Sequence, residues 1–195
     1  MLKRLFDIFF STIGLIILLP VFIIIGIIIM LDSKGGVFYR QIRVGLNGVD
    51  FSLFKFRTMG TGAEKKGLLT VGDRDPRVTR VGYFLRKYKI DELPQLLNVL
   101  SGEMSFVGPR PEVRKYVDMY TTEQSKVLSV KPGITDPAAI SYVNESDLLL
   151  TAQDPEAFYI NEVMPAKLKL NLEYIQQRSF LRDIKIIFQT ILKIV

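Results

Sequence analysis

Residues 8–31 form a run of 24 without a charge, dominated by Ile, Leu, Val and Phe. A helix of that length crosses a hydrocarbon core of about 30 Å. A helix buried in a water-soluble domain is rarely so long and so apolar all round, so this segment reads as membrane-inserted. A cleavable signal peptide fits poorly, because basic residues rather than a small-residue cleavage site follow the run. Pro20 falls near the middle, where it removes a backbone hydrogen bond and predicts a kink. Lys3 and Arg4 precede the run, while Lys34, Arg40 and Arg43 follow it. Basic residues favour the cytoplasmic side, and here both flanks ask for it. A helix-break-helix that enters and leaves one leaflet satisfies both ends. A kinked spanning helix with Lys3 and Arg4 outside is the competing arrangement.

The 195 residues suit one domain plus this appendage, divided as a membrane segment 1–34 and a cytoplasmic domain 35–195. The expected class is α+β: a small β-hairpin and several helices, including amphipathic ones. There is no Cys, which excludes disulfides, thiolate metal sites and thiol nucleophiles. There is no His either, so polar chemistry must rest on carboxylates, Lys, Arg or Tyr, and any metal must be a hard, oxygen-ligated ion such as Mg²⁺. The net charge of +6 points to an anionic partner: nucleic acid, anionic lipid or a phosphorylated small molecule.

Val37 to Gly45 alternates bulky and polar side chains as a half-buried strand does, Asn47-Gly48 signals a hairpin turn, and residues 51–56 read as the returning strand. Lys55 and Arg57 sit on that hairpin. Residues 61–75, with three glycines, read as a loop. Thr79 is placed to cap a short helix with Val81, Phe84, Leu85 and Tyr88 on one face. Arg110 between Pro109 and Pro111 is pre-ordered, and its planar fork suits phosphate; in a bland reading it is an arginine on a rigid turn in water. Near the C-terminus, Met164, Leu168, Leu172 and Ile175 share a helical stripe, followed by Ile184, Ile187, Phe188, Ile191, Leu192 and Val195. Such a helix packs on the core or lies in the membrane interface.

Lys89-Ile90-Asp91-Glu92-Leu93-Pro94-Gln95 places two acids before a short apolar run with Pro in its first turn and Gly102 as its stop. This predicts a helix capped by Asp91, whose dipole favours an ionised carboxylate and attracts phosphate oxygens. Alone, the motif is better explained by a simple cap. The absence of His changes the balance, because a carboxylate needs no base to act as a nucleophile.

Several motifs in order resemble the bacterial sugar transferases, the monotopic phosphoglycosyl transferases. They are the apolar run with Pro20, Phe38-Tyr39-Arg40-Gln41-x-Arg43-Val44-Gly45, Lys55-Phe56-Arg57-Thr58-Met59, Leu85-Arg86-Lys87-Tyr88-x-x-Asp91-Glu92-Leu93-Pro94-Gln95-Leu96, Val107-Gly108-Pro109-Arg110-Pro111 and Lys131-Pro132-Gly133-Ile134-Thr135. The resemblance implies transfer of a phospho-sugar from a UDP-sugar to polyprenyl phosphate, with release of UMP, at the cytoplasmic face of the bacterial inner membrane. It also implies a re-entrant anchor, Asp91 as nucleophile and Glu92 as its partner in holding Mg²⁺. Lys55, Arg57, Arg86, Arg110 and Pro111 are the expected phosphate-binding positions. Asp136-Pro137 and Asn171 depart from the family's pattern. Two other hypotheses compete. A non-catalytic, membrane-anchored basic adaptor requires neither acid. Nucleic-acid binding is weaker, since no recognised RNA or DNA module is present.

Overall fold

The computed structural model describes residues 1–63, 67–72 and 75–194. Parts of the expected 61–75 loop (64–66 and 73–74) and Val195 lie outside them. The fold is mixed: one long apolar helix, two small sheets and a set of shorter helices.

Helix α1 (Leu2–Asp32) is 31 residues long, and helical geometry continues through Pro20. It is the one helix among the described residues long and apolar enough to cross a membrane. Its two ends are tied to the rest of the chain by polar contacts. At the start, Lys3 Nζ donates to Val107 O at 2.8 Å and to Asp183 Oδ2 at 2.5 Å. Arg4 donates to Val99 O at 2.6 Å and Leu100 O at 2.8 Å, satisfying carbonyls that a helix end leaves open. Asp7 Oδ1 accepts from Ser105 Oγ and Phe106 N. At the other end, Ile25 and Ile29 pack with Phe56 and Leu85. Between the two docked ends, Ile16, Ile17, Leu19, Ile23 and Ile24 are all exposed.

Strands β1 (Phe38–Val44) and β2 (Asp50–Phe56) pair antiparallel from Phe38↔Phe56 to Val44↔Asp50, as the alternation predicts. The turn uses positive φ at Asn47 (56°) and Gly48 (77°), which Asn and Gly tolerate best. Helix α2 (Arg80–Lys87) is capped by Thr79, whose Oγ1 accepts from Gly82 N at 3.0 Å. Its buried face differs from the expected one: Gly82 and Leu85 are buried, whereas Phe84 and Tyr88 are exposed. Gly82 is the reason. A Cβ there would lie 2.1 Å from Thr58 O, so the glycine seats α2 directly on backbone and fixes which side turns inward.

Helix α3 (Leu96–Ser101) ends at Gly102 in the left-handed conformation, the expected stop. Its Asn98 grips β2, accepting from Phe54 N at 3.0 Å and donating to Ser52 O at 2.7 Å. Strand β3 (Ser105–Val107) and, beyond the short helix α4 (Arg114–Val117), strand β4 (Gly133–Thr135) pair in parallel. Two glycines allow this: a Cβ on Gly133 would meet Gly108 N at 2.1 Å, and one on Gly108 would meet Lys131 O at 2.4 Å. The Pro109-Arg110-Pro111 loop therefore leaves β3 beside the loop that leaves β4. Helices α5 (Pro137–Ser141), α6 (Glu145–Leu150) and α7 (Pro155–Phe158) follow, then α8 (Met164–Gln176) and α9 (Phe180–Ile194).

The main core joins α8 to the region around α4, with Val113, Tyr116, Val127, Tyr159, Met164 and Leu168 buried together. Leu172 and Ile175 pack against it, as their spacing predicts. In α9 the inward residues are Asp183 and Ile186, while Leu181, Phe188, Ile191 and Leu192 are exposed. Tyr174 Oη donates to Asp183 Oδ1 at 2.5 Å, and this pair with Lys3 sets the rotation of α9. The stripe expected either on the core or in the membrane interface thus has Ile184 and Ile187 half-buried and Phe188, Ile191 and Leu192 exposed.

Candidate active site

The Asp91-Glu92 pair does not cap an α-helix. A 3-10 turn spans Ile90–Gln95 ahead of α3, and the residue at its start is Lys89, held in the left-handed conformation (φ 54°). Pro94 inside the turn costs it one donor and helps keep it from widening into the α-helix. The short turn buries Asp91, which is 6% exposed, and leaves its Oδ1 without a hydrogen-bond partner. Burial pushes the Asp91 carboxyl above the ordinary carboxylate range; Lys55 opposes the shift and Glu92 adds to it. The electrostatics thus reverse the expectation of a dipole-stabilised, easily ionised cap.

Glu92 has the opposite surroundings. Arg110 spans its carboxylate with both terminal nitrogens, Nη1 reaching Oε2 at 3.0 Å and Nη2 contacting Oε1. Lys55 Nζ, delivered by β2, donates to Oε1 at 3.1 Å. Burial raises the Glu92 pKa, but the Arg110 guanidinium and the Lys55 ammonium outweigh it and hold the group well below the carboxylate range. Burial in turn lowers the Lys55 pKa, while Glu92 raises that of Arg110.

Arg110 is itself positioned by its backbone. Its N–H donates to Asp136 Oδ2 at 2.6 Å, and the same carboxylate accepts from Ala139 N at 2.5 Å and Asn171 Nδ2 at 3.2 Å. Asp136 is fully buried and caps α5, with Pro137 in the first turn. The Asp136-Pro137 and Asn171 departures therefore meet each other behind Arg110. Pro111 lines the same cleft, and its carbonyl accepts from Arg43 Nη1 at 3.0 Å. Arg43 also pairs with Glu112 at 2.9 Å, a partner the sequence reading missed for lack of any local spacing signal.

Arg86 donates Nη2 to Thr70 Oγ1 at 2.8 Å and keeps a buried Nη1 without a partner. Arg57 also lines the cleft and keeps a buried Nε without a partner, while its terminal nitrogens are engaged elsewhere. Its guanidinium donates to Ser33 O at 2.8 Å and to Lys34 O, gripping the exit of α1. The cleft that joins Asp91, Glu92, Lys55, Arg86 and Arg110 has a volume of about 1270 Å³.

The whole chain, residues 1–195, matches the family described as bacterial sugar transferase. It belongs to that family. The chain is 39% identical over 197 residues to the UDP-glucose:undecaprenyl-phosphate glucose-1-phosphate transferase of Escherichia coli (strain K12), covering 99% of this chain and 40% of the relative. It is 37% identical over 193 residues to the UDP-N-acetylgalactosamine-undecaprenyl-phosphate N-acetylgalactosaminephosphotransferase of Aeromonas hydrophila, covering 97% of this chain and 43% of the relative. It is also 39% identical over 194 residues to the uncharacterized sugar transferase EpsL of Bacillus subtilis (strain 168), covering 99% and 87% respectively. The chain thus spans about two fifths of the first two relatives and most of the third.

No cluster of three or more metal-ligating side chains occurs among the described residues of the transferase. A hard divalent ion nevertheless fits the dyad. Asp91 Oδ1 is free, and Glu92 Oε2 accepts one hydrogen bond where a carboxylate oxygen accommodates about two. Substrate phosphates and water commonly complete such a site.

Proposed function

We propose that this sugar transferase moves a sugar-1-phosphate from a UDP-sugar to undecaprenyl phosphate, releasing UMP, as a membrane step of bacterial glycoconjugate assembly. The observation that carries the reading is the bare, buried Asp91 Oδ1 beside a carboxylate already neutralised by two cations. An oxygen without a partner is an available nucleophile, and the cations allow a dianionic substrate to approach it.

In the first step Asp91 attacks the β-phosphorus of the donor, forming an aspartyl phospho-sugar while the bond to the bridging oxygen breaks and UMP departs. A phosphate oxygen of undecaprenyl phosphate then attacks the same phosphorus, and the Asp91 carboxylate is regenerated. Arg110 and Lys55 hold Glu92 as a fixed anion, and Arg86 offers an unspent donor to phosphate. Asp91 and Glu92 would hold Mg²⁺, which would supply neutralisation of the diphosphate when bound.

A re-entrant arrangement of α1 on the cytoplasmic face suits the acceptor. Lys3, Arg4 and Asp7 at one end and Arg57 at the other dock both ends of the helix on the same body, while its exposed apolar middle is free to enter lipid. The exposed Leu181, Phe188, Ile191 and Leu192 of α9 suit the membrane interface.

Purified protein is incubated with a panel of UDP-sugars, Mg²⁺ and undecaprenyl phosphate, and UMP is measured. At least one sugar gives UMP, and EDTA abolishes its release. Silence across the panel sinks the enzyme in favour of the membrane-anchored adaptor. Thermal shift with Mg²⁺ or Mn²⁺ checks the metal apart from turnover: absence of a shift in wild type removes the ion from the dyad.

A further inference from the structure

The cations around the dyad are unequally committed. Lys55 and Arg110 are on Glu92, Arg43 is on Glu112, Lys167 is on Glu145 and Arg57 is on the carbonyls of the α1 exit. On the Asp91 side, Arg86 keeps its buried Nη1 without a partner, and the Lys89 side chain is exposed with no hydrogen bond or ion pair among the described residues. Both line the cleft with Asp91.

Lys89 also occupies a position whose backbone asks for another residue. Its φ of 54° and ψ of 18° are left-handed, and Asn47 in the hairpin turn is the other described non-glycine residue with positive φ. Lys89 N closes α2 onto Arg86 O at 3.0 Å, and Lys89 O accepts from Glu92 N at 3.2 Å to open the dyad turn. Glycine performs that reversal without steric strain. A strained residue beside a reactive group points to a job for its side chain.

We propose that Lys89, together with Arg86, binds the phosphate that departs as UMP. The inference rests on the transfer reaction above. When Asp91 attacks the β-phosphorus, the electron pair of the broken bond remains on the bridging oxygen, which becomes an oxygen of the UMP phosphate. Negative charge grows there, on the nucleotide side of the reacting phosphorus, and needs cations that Glu92 has not already claimed. Arg86 and Lys89 meet that requirement, so Lys89 is a donor-binding residue that also stabilises the leaving group.

The experiment compares wild type with Lys89→Gln, Lys89→Gly and Lys89→Arg in UMP release, and measures UMP affinity directly by titration calorimetry. Lys89→Gln and Lys89→Gly lose about tenfold or more in kcat/KM for the UDP-sugar and bind UMP about tenfold more weakly. Their KM for undecaprenyl phosphate stays unchanged, and Lys89→Arg recovers most of both losses. Lys89→Gly melts no lower than wild type, which separates the lost charge from misfolding. Unchanged UMP affinity in Lys89→Gln, or full activity in Lys89→Gly, overturns the assignment. Should wild type release no UMP from any UDP-sugar, the transfer reaction fails while the calorimetric comparison still decides whether Lys89 binds UMP.

Discussion

Asp91 and Glu92 are joined by a peptide bond and face opposite environments. Glu92 lies between a bidentate arginine and a lysine, so its charge is fixed; Oε1 is occupied by both cations and Oε2 by Arg110 alone. Asp91 is buried and has an oxygen with no partner. The difference divides the labour of the site. One carboxylate organises the cations, and the other is kept bare, at a cost in desolvation, where a reacting phosphorus can reach it. Two neighbouring acids on one 3-10 turn differ this far because Arg110 and Lys55 hydrogen-bond Glu92 and leave Asp91 Oδ1 without a partner.

The sharpest way to break this contrast is to neutralise each acid in turn. Asp91→Asn is expected to lower UMP release by about a thousandfold or more, since the nucleophile itself is removed. Its melting temperature at neutral pH should hold or rise, because the change removes a buried anion without a hydrogen-bond partner on Oδ1. A marked fall in stability would show that Asp91 is a structural anion after all.

Glu92→Gln should behave in the reverse order. It leaves Arg110 and Lys55 facing a neutral amide, and stability is expected to fall by about 2–4 kcal/mol in denaturant melts. An unchanged midpoint would remove the claim that Glu92 organises these cations. Asp136→Ala tests the same half of the site at one remove. Losing the acceptor for Arg110 N, Ala139 N and Asn171 should cost about 1–3 kcal/mol and loosen Arg110 without touching Asp91. Equal stability in that variant would mean the loop is held by its prolines alone.

Acid titration gives the smallest and most diagnostic effect. Glu92 has a folded pKa below its unfolded one, so its stabilising share is present above the unfolded value and is lost as pH falls through the folded one. Asp91 has a raised folded pKa, so the anion needed for attack disappears at higher pH than the ordinary carboxylate range suggests. On cooling the pH, kcat/KM for the UDP-sugar should therefore fall before the fold does. Coincident loss of activity and of structure would erase the distinction between the two acids. Lys55, Arg86, Lys89 and Glu92 are the charged groups that set the Asp91 titration.

Much of this site was legible beforehand because its parts are local. Asp91 and Glu92 stand together in the chain, Arg110 is fixed between two prolines, and the hairpin that brings Lys55 announces itself by alternation and Asn47-Gly48. What was not legible falls where a side chain's partner is distant. Arg57, expected beside Lys55 at the phosphates, also donates to the α1 exit, 23 to 24 residues away. Phe84 and Tyr88 matched a helical stripe, but the backbone contact at Gly82 turned them outward. Strands β3 and β4, of three residues each, are too short for any period to register, and their parallel pairing joins segments 28 residues apart.

The apolar helix, the hairpin, the stop at Gly102 and the two acids are readable in the linear order of residues, since each depends on neighbours within a few positions. What each charge is for emerges from the packed fold. Lys3 and Arg4 carried a topological meaning in the sequence, and in the fold they are hydrogen-bonded to carbonyls about a hundred residues away. The same folding gave Glu92 two cations and left Asp91 Oδ1 bare. Desolvation and ion pairing depend on what surrounds a group in space, and for adjacent residues of equal charge that is settled by packing.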